Sequence, residues 1–154
     1  MNTEYFHLNA DELRNSLVTV TLEWEKRYGV APAITNVISE YDAAIIVGHT
    51  PKSFGDANVG RTAVTRGTDF VHNAIKYQIK ANRPSGKPGS KVTIVAKASN
   101  YEWDKLIWIL YDREYNILEA WEWEVIEYRY SFHECTRISP YDMRKGKNLL
   151  ISNS

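Results

Sequence analysis

The strongest constraint on the fold is a pair of apolar segments in the last third of the chain. "KLIWILYD", residues 105–112, is almost continuously apolar, whereas "YNILEAWEWEV", residues 115–125, alternates apolar and polar residues. A continuous apolar run is typical of a strand buried on both faces, and alternation is typical of a strand with one covered face. The residues "REYN" between them predict a hairpin. Alternation also places Trp121 and Trp123 together, which predicts a core-facing tryptophan pair.

The first third of the chain has helical periodicity. Residues 11–29, "DELRNSLVTVTLEWEKRYG", carry apolar side chains at helical spacing and end at a glycine, namely Leu13, Leu17, Val20, Trp24 and Gly29. Residues 33–49, "AITNVISEYDAAIIVGH", repeat this pattern up to Gly48. Glycine terminates helices well, so two helices are predicted here. We read Asp56, in the glycine-containing stretch "SFGDANVG", as a turn residue.

Shorter segments complete the predicted secondary structure. "TDFVH" and "IKYQIKA" flank a tight "NA" turn, "KVTIVAKA" is rich in β-branched residues, and a short helix is expected after Ser139-Pro140. Two helices followed by a strand meander predict an α+β fold, with a mixed central β-sheet flanked by helices. The length of 154 residues fits a single domain over 1–154.

Composition limits the functional classes. The chain has 19 Lys and Arg against 19 Asp and Glu, so a nucleic acid would have to bind a local basic patch. The lone Cys135 cannot form an internal disulfide, which favours a reducing compartment. The sequence contains no apolar run of the roughly 20 residues that a membrane span needs. The start "MNTEYFHLNADELRN" lacks the features of a secretion signal. We therefore expect a cytoplasmic protein.

Candidate functional side chains surround the "NA" turn. In "DFVHNAIKYQIK", Gln78 and Lys80 lie two residues apart and therefore share one face of a strand, and Asp69 can lie beside them across the hairpin. A carboxylate and a carboxamide oxygen are ligands suited to a divalent cation. A neighbouring ammonium can orient a nucleophile or stabilise charge developing on a phosphate. The pattern therefore predicts a metal site.

At these residues the chain resembles the PD-(D/E)XK nuclease superfamily, whose fold is restriction-endonuclease-like. Asp69 followed by "QIK" is similar to the family's Asp and acid-x-Lys pattern, with Gln78 in the place of the usual acid. "ISEYDAAIIVG" supplies Glu40 as the helical glutamate that many members place before the Asp strand. The resemblance covers residues 33–125.

The resemblance implies a Mg²⁺-dependent DNA endonuclease, such as a type II restriction endonuclease. Mg²⁺, replaceable by Mn²⁺, would be held by Asp69, Gln78 and Glu40, and Lys80 would position the attacking water. The implied partners are double-stranded DNA and a second copy in a homodimer. Replacing the acid by Gln78 removes a charge from the site, so a non-cleaving module that binds DNA or a protein remains an alternative.

Basic residues near this pattern are candidates for contacts with the phosphate backbone. Arg66 precedes the Asp strand, and Arg83, Lys87 and Lys91 lie in or beside the loop after Lys80. A solvated loop is the competing interpretation. Asp69 as a turn cap and Lys80 as an edge-strand lysine are likewise interpretations that need no site.

Overall fold

The computed structural model describes residues 7–59, 67–85 and 87–151. The chain divides into two compact units, Met1–Ile34 and Thr35–Ser154. The prediction of a single domain stays a prediction. Among the described residues, no helix is long and apolar enough to cross a membrane.

The first unit contains one helix, α1, over Ala10–Tyr28. The side chain of Asn9 caps its start by accepting a hydrogen bond from the Glu12 backbone N–H at 2.8 Å. Gly29 caps its end with a left-handed φ of 79°, a conformation that glycine adopts without strain. The predicted helix and its glycine stop are confirmed.

The described residues of the second unit form the helices α2 (Thr35–Ile46), α3 (Pro51–Asn58), α4 (Val125–Phe132) and α5 (Pro140–Met143). The predicted second helix and the helix after Ser139-Pro140 are confirmed. Our interpretation of Asp56 as a turn residue is wrong, because it lies in α3 and accepts a hydrogen bond from the Lys52 ammonium at 2.7 Å. A capping box between Thr50 and Ser53 starts this helix, so its N-terminal signal outweighs the internal glycine.

Five strands form one sheet in the order β1-β2-β3-β4-β5, namely β1 (Phe70–His72), β2 (Ile75–Asn82), β3 (Lys105–Tyr111), β4 (Ile117–Glu124) and β5 (Lys147–Asn148). The pair β2–β3 is parallel, and the other neighbours are antiparallel. The sheet is therefore mixed, and the α+β class is confirmed.

The two predicted hairpins are present. Asn73 and Ala74 both have positive φ, 49° and 64°, which is the backbone of a type I′ turn between β1 and β2. The turn between β3 and β4 is fixed by the Asp112 side chain, which accepts the backbone N–H groups of Glu114 and Asn116. Asparagine is a common residue at φ above zero, whereas alanine there carries strain that the pairing of the two strands must offset.

One other prediction is wrong. "KVTIVAKA" does not form a strand, since within it only Val95 makes an isolated bridge, to Ile138. The segment contributes to packing instead, because Val95 lies in the hydrophobic core. The predicted alternating strand is confirmed as β4, and the chain turns directly from Glu124 into α4.

Helices cover both faces of the sheet. On one face, α2 is tied to β3 by a 2.6 Å hydrogen bond from the Tyr111 hydroxyl to Asp42. On the other face, Trp108 and Trp123 pack in one cluster with Tyr128 and Phe132 of α4. The predicted core position of Trp123 is confirmed, and Trp121 packs partly buried against the same cluster.

The glutamates that alternate with these tryptophans are not simply solvated. Glu122 is buried on the opposite face and accepts a hydrogen bond from the Lys105 ammonium at 3.1 Å. Burial tends to lower the pKa of Lys105, but its hydrogen bond to Glu122 and the charges of Glu122 and Glu124 leave that pKa above its ordinary value. This pairing compensates for burying the Glu122 carboxylate.

Two glycines give a matched test of this packing. A Cβ at Gly146 would lie 2.5 Å from Nε1 of Trp123 and 2.7 Å from the backbone oxygen of Glu122, whereas a Cβ at Gly55, inside α3, meets nothing within 4 Å. We expect Gly146→Ala to lower the free energy of unfolding by about 1–3 kcal/mol through overpacking. Gly55→Ala should raise it by about 0.5–1 kcal/mol, since alanine favours helix. Urea unfolding measures both, and equal effects would contradict the packing described.

Candidate functional site at the open edge of β2

The site lies where β1 leaves the edge of β2 uncovered. β1 pairs with β2 only from Ile75 to Tyr77, and no described strand pairs with residues 79–82 on that side. Continuing the register of Phe70 with Tyr77 by one residue places Asp69 opposite Gln78. The sequence prediction that these two side chains meet across the hairpin follows directly from this register.

The carboxylate of Asp69 takes the place of the missing strand. Its Oδ2 accepts the backbone N–H of Ile79 at 2.7 Å and the side-chain amide of Gln78 at 2.8 Å. The Asp69 backbone N–H donates to the Tyr77 carbonyl at 2.8 Å. A carboxylate that accepts two N–H donors on one oxygen is held in a fixed orientation. The position and direction of Asp69 are therefore set by the backbone of β2.

The Gln78 amide is oriented by its neighbours. Its nitrogen Nε2 donates to Asp69 Oδ2 and lies 3.4 Å from the Ile79 carbonyl oxygen. The nitrogen, and not the carbonyl oxygen, therefore faces the carboxylate. As arranged here, Gln78 acts as a hydrogen-bond donor that positions Asp69, a role that a glutamate at this place could fill only when protonated.

Lys80 differs from its neighbours because its ammonium lacks a partner. Over the described part of the chain, its Nζ forms neither a hydrogen bond nor an ion pair, although the side chain is half-buried. An ammonium without a partner among the described residues keeps its three N–H donors available to another group. The adjacent Lys76 on the same face of β2 is exposed, so burial distinguishes Lys80 along the strand.

One cavity brings the predicted residues together. It has a volume of ≈ 290 Å³, and the side chains of all four predicted catalytic residues line it, namely Glu40, Asp69, Gln78 and Lys80. Ile79 and Ala81 lie on the other face of β2 from Gln78 and Lys80, and they line it too. The cavity therefore wraps around the open edge of the strand.

Glu40 reaches this cavity because α2 is anchored to the sheet on both sides of it. The Thr35 hydroxyl lies 2.9 Å from the Tyr115 hydroxyl, and Asp42 binds Tyr111. Glu40 lies between these two anchors. Ala43 and Ala44 are fully buried, and their small side chains allow close approach of α2 to the sheet.

Besides Ile79 and Ala81 of β2, three further residues that line the cavity were not identified from the sequence. Asn36 and Ser39 come from α2, and Ala96 comes from the segment predicted as a strand. Asn36 lies four residues before Glu40, a spacing that places both on one helix face, so this neighbour was predictable. Ala96 is distant in sequence and carries no polar group, so no sequence signal indicates it.

The carboxylates here do not form a complete metal cluster. Among the residues that the structure describes, no group of three or more His, Cys, Asp or Glu side chains could hold a metal ion. Among the described residues that line the cavity, the acids are Glu40 and Asp69, so a further side-chain ligand from this lining is neutral. The neutral side-chain oxygens in its lining belong to Gln78, Asn36 and Ser39.

The predicted basic residues are placed differently from one another. Arg83 donates from Nε and a terminal nitrogen to the Arg113 carbonyl at 2.8 and 2.6 Å, and its guanidinium lies 4.9 Å from the centre of the Tyr115 ring. Arg83 thus fastens the end of β2 to the β3–β4 turn. Lys87 and Lys91 are exposed on the following loop, and Arg66 lies outside the described residues.

No protein-family model matches this chain, and no curated protein matches it either. The function is therefore inferred from the chemistry of the cavity.

Asp69 and Lys80 should differ in their contribution to the stability of the fold, because Asp69 accepts two hydrogen bonds from β2 and the Lys80 ammonium makes none within the described residues. Asp69→Ala leaves the Ile79 N–H and the Gln78 amide without their acceptor, so we expect a loss of about 1–3 kcal/mol in the free energy of unfolding. Asp69→Asn keeps one acceptor oxygen and should lose less. Lys80→Ala removes an ammonium without a partner among the described residues and should change this free energy by about 0.5 kcal/mol or less.

Urea titrations of the three variants beside the wild type measure these effects. A Lys80→Ala variant that loses as much stability as Asp69→Ala would mean that Lys80 holds the fold together, and its role in the cavity would have to be abandoned.

Proposed function

We propose that this chain is a metal-dependent endonuclease of restriction-endonuclease-like fold that hydrolyses phosphodiester bonds in double-stranded DNA. The observation that carries the proposal is the convergence of Glu40, Asp69, Gln78 and Lys80 on one cavity at the open edge of β2. Metal-dependent hydrolysis of a phosphodiester needs oxygen ligands for a cation and a cationic side chain beside them. The two acids and the carboxamide can supply the oxygens, and the amine can supply the positive charge.

The cavity fits Mg²⁺ by the chemistry of its donors. Mg²⁺ prefers oxygen ligands, usually one or two carboxylates with water and substrate oxygens completing the shell. Asp69 and Glu40 would supply the carboxylates, and Gln78 would supply a neutral carbonyl oxygen. When bound, the ion polarises a phosphate oxygen and makes a coordinated water more acidic.

Gln78 would have to turn its amide to serve as a ligand. The nitrogen now donates to Asp69 Oδ2 at 2.8 Å, so the side chain satisfies the carboxylate before any cation arrives. A half-turn about the Cγ–Cδ bond exchanges nitrogen and oxygen at this position. The carbonyl oxygen would then face Asp69, an arrangement that is repulsive unless a cation lies between the two oxygens.

Lys80 would act on the water and the phosphate. Its ammonium has three N–H donors and, within the described residues, no other partner. It can orient a water for attack on phosphorus and donate to a phosphate oxygen as negative charge develops there. A donor fixed on a rigid strand stabilises the transition state with little reorganisation. The unpaired state of Lys80 supports this role.

The DNA backbone would approach along the loop that follows β2. Lys87 and Lys91 are exposed on this loop and can contact phosphates. Arg83 is occupied by the Arg113 carbonyl, so its guanidinium has fewer donors left for a phosphate. The chain has 19 basic and 19 acidic residues, so its overall charge does not attract DNA. Binding would therefore depend on a local basic surface such as this loop.

A second candidate is a module of the same fold that binds DNA or a protein and does not cleave. The observation in its favour is that Gln78 presents its amide nitrogen to Asp69, which stabilises the site without a cation. In this candidate the Gln78–Asp69 pair is a permanent structural bond. The two candidates differ in metal binding and in cleavage.

Cleavage assays distinguish the two candidates. We expect wild-type protein to nick plasmid DNA in Mg²⁺ or Mn²⁺, and Lys80→Ala to lower the rate by at least about 10²-fold, since one stabilising donor in the transition state is lost. Asp69→Ala should abolish cleavage. Lys76→Ala is the matched control, because it removes an exposed lysine of the same strand that does not line the cavity.

If wild type and Lys80→Ala cleave DNA at the same rate, the proposed role of Lys80 is contradicted. Wild-type protein that binds DNA but never nicks it in either metal would favour the binding module.

Substitution of Gln78 by glutamate tests the ligand role at its most specific point. A third carboxylate beside Asp69 and Glu40 increases repulsion without metal, so Gln78→Glu should melt at a lower temperature than wild type in EDTA. Mg²⁺ should recover that loss, because it binds the folded state and a carboxylate attracts it more strongly than an amide oxygen does. Thermal melts of both proteins across a Mg²⁺ titration measure this, and identical metal responses would show that position 78 does not face an ion.

A further inference from the structure

Helix α1 exposes a continuous line of apolar side chains. Leu13, Leu17, Val20 and Trp24, here called the α1 stripe, are 55%, 40%, 58% and 52% exposed. Single exposed apolar residues are ordinary on protein surfaces, but four in one line along three turns of helix are characteristic of an interaction surface. The cavity residues of the second unit do not include any of them.

The spacing of the α1 stripe is that of a helix–helix seam. Its gaps of four, three and four residues follow the 3.6-residue turn of a straight helix, so the stripe runs nearly parallel to the helix axis. The order of these spacings is the same from the N-terminal end of the helix as from its C-terminal end. A two-fold axis passing between Leu17 and Val20 therefore maps the stripe onto itself. It sets Leu13 against Trp24 of a second copy, and Leu17 against Val20.

We propose that the α1 stripe is a self-association surface on which a second copy of this chain docks its own α1 in antiparallel orientation. An antiparallel contact packs each large Trp24 against a Leu13, whereas a parallel contact would stack the two tryptophans at one end. The proposal concerns α1 alone and does not depend on nuclease activity.

The charges of α1 favour the antiparallel orientation. Its first turn is acidic, with Asp11 and Glu12, and its last turn is basic, with Lys26 and Arg27. The two-fold axis brings the acidic first turn of each copy to the level of the basic last turn of the other. Antiparallel packing also opposes the two helix dipoles. A parallel pair would set the two acidic turns at one end and the two basic turns at the other.

Sedimentation equilibrium tests the association. We expect the wild type to approach twice the chain mass with rising concentration, and Leu17→Lys to raise the dissociation constant at least tenfold, because it places two ammonium groups beside the two-fold axis. Thr19→Lys is the matched control, with the same added charge on an exposed position of α1 away from the stripe, and it should change the dissociation constant less than twofold. Circular dichroism of each variant confirms that it remains folded.

Cysteine cross-linking tests the orientation in a Cys135→Ser background. An antiparallel pair keeps the two copies of residue 13 apart by 11 residues, or about 16 Å along the axis, which is beyond disulfide reach. We therefore expect a covalent dimer from the double variant Leu13→Cys/Trp24→Cys and none from Leu13→Cys alone. A covalent dimer from Leu13→Cys alone overturns the antiparallel orientation. A wild type that stays monomeric at all accessible concentrations, or a dimer indifferent to Leu17→Lys, overturns the proposal as a whole.

Discussion

The hydrogen bond from the Ile79 N–H to the Asp69 carboxylate determines the rest of the candidate site. It occurs because β1 starts at Phe70 and leaves the next part of β2 without a partner strand. A buried backbone donor without an acceptor is costly, so the carboxylate just before β1 fills that place. The same bond that completes the sheet edge thereby fixes an acid beside Gln78 and Lys80.

The site follows from this edge and from the way α2 lies on the sheet. Asp42 and Thr35 hold α2 to tyrosines of the sheet region, which brings Glu40 to the cavity from the other face of β2. Residues of α2 and β2, which are far apart in sequence, thus line the same cavity. Rigid elements position functional side chains more accurately than loops do. Glu40 comes from α2, and Gln78 and Lys80 come from β2, whereas Asp69 lies just before β1 and is held by its hydrogen bonds to β2.

Much of this arrangement could be predicted from local sequence rules. The period of two placed Gln78 and Lys80 on one face, and the short turn placed Asp69 across from them. The strand expected at 91–98 does not form, because this segment is held by tertiary packing: Val95 lies in the core while the backbone around it stays irregular. The direction of the Gln78 amide was also beyond sequence reasoning, because it depends on which groups surround it, and the sequence gives only its identity.

We propose that the cavity between Asp69, Gln78 and Glu40 holds a divalent cation. Anomalous X-ray scattering from crystals soaked in Mn²⁺ measures this most directly, since it locates the ion without reference to activity. We expect one Mn²⁺ peak with carboxylate oxygens of Asp69 at about 2.0–2.6 Å and the Gln78 amide turned so that its oxygen faces the ion. A cavity without a Mn²⁺ peak, in which Gln78 still donates to Asp69, would contradict it.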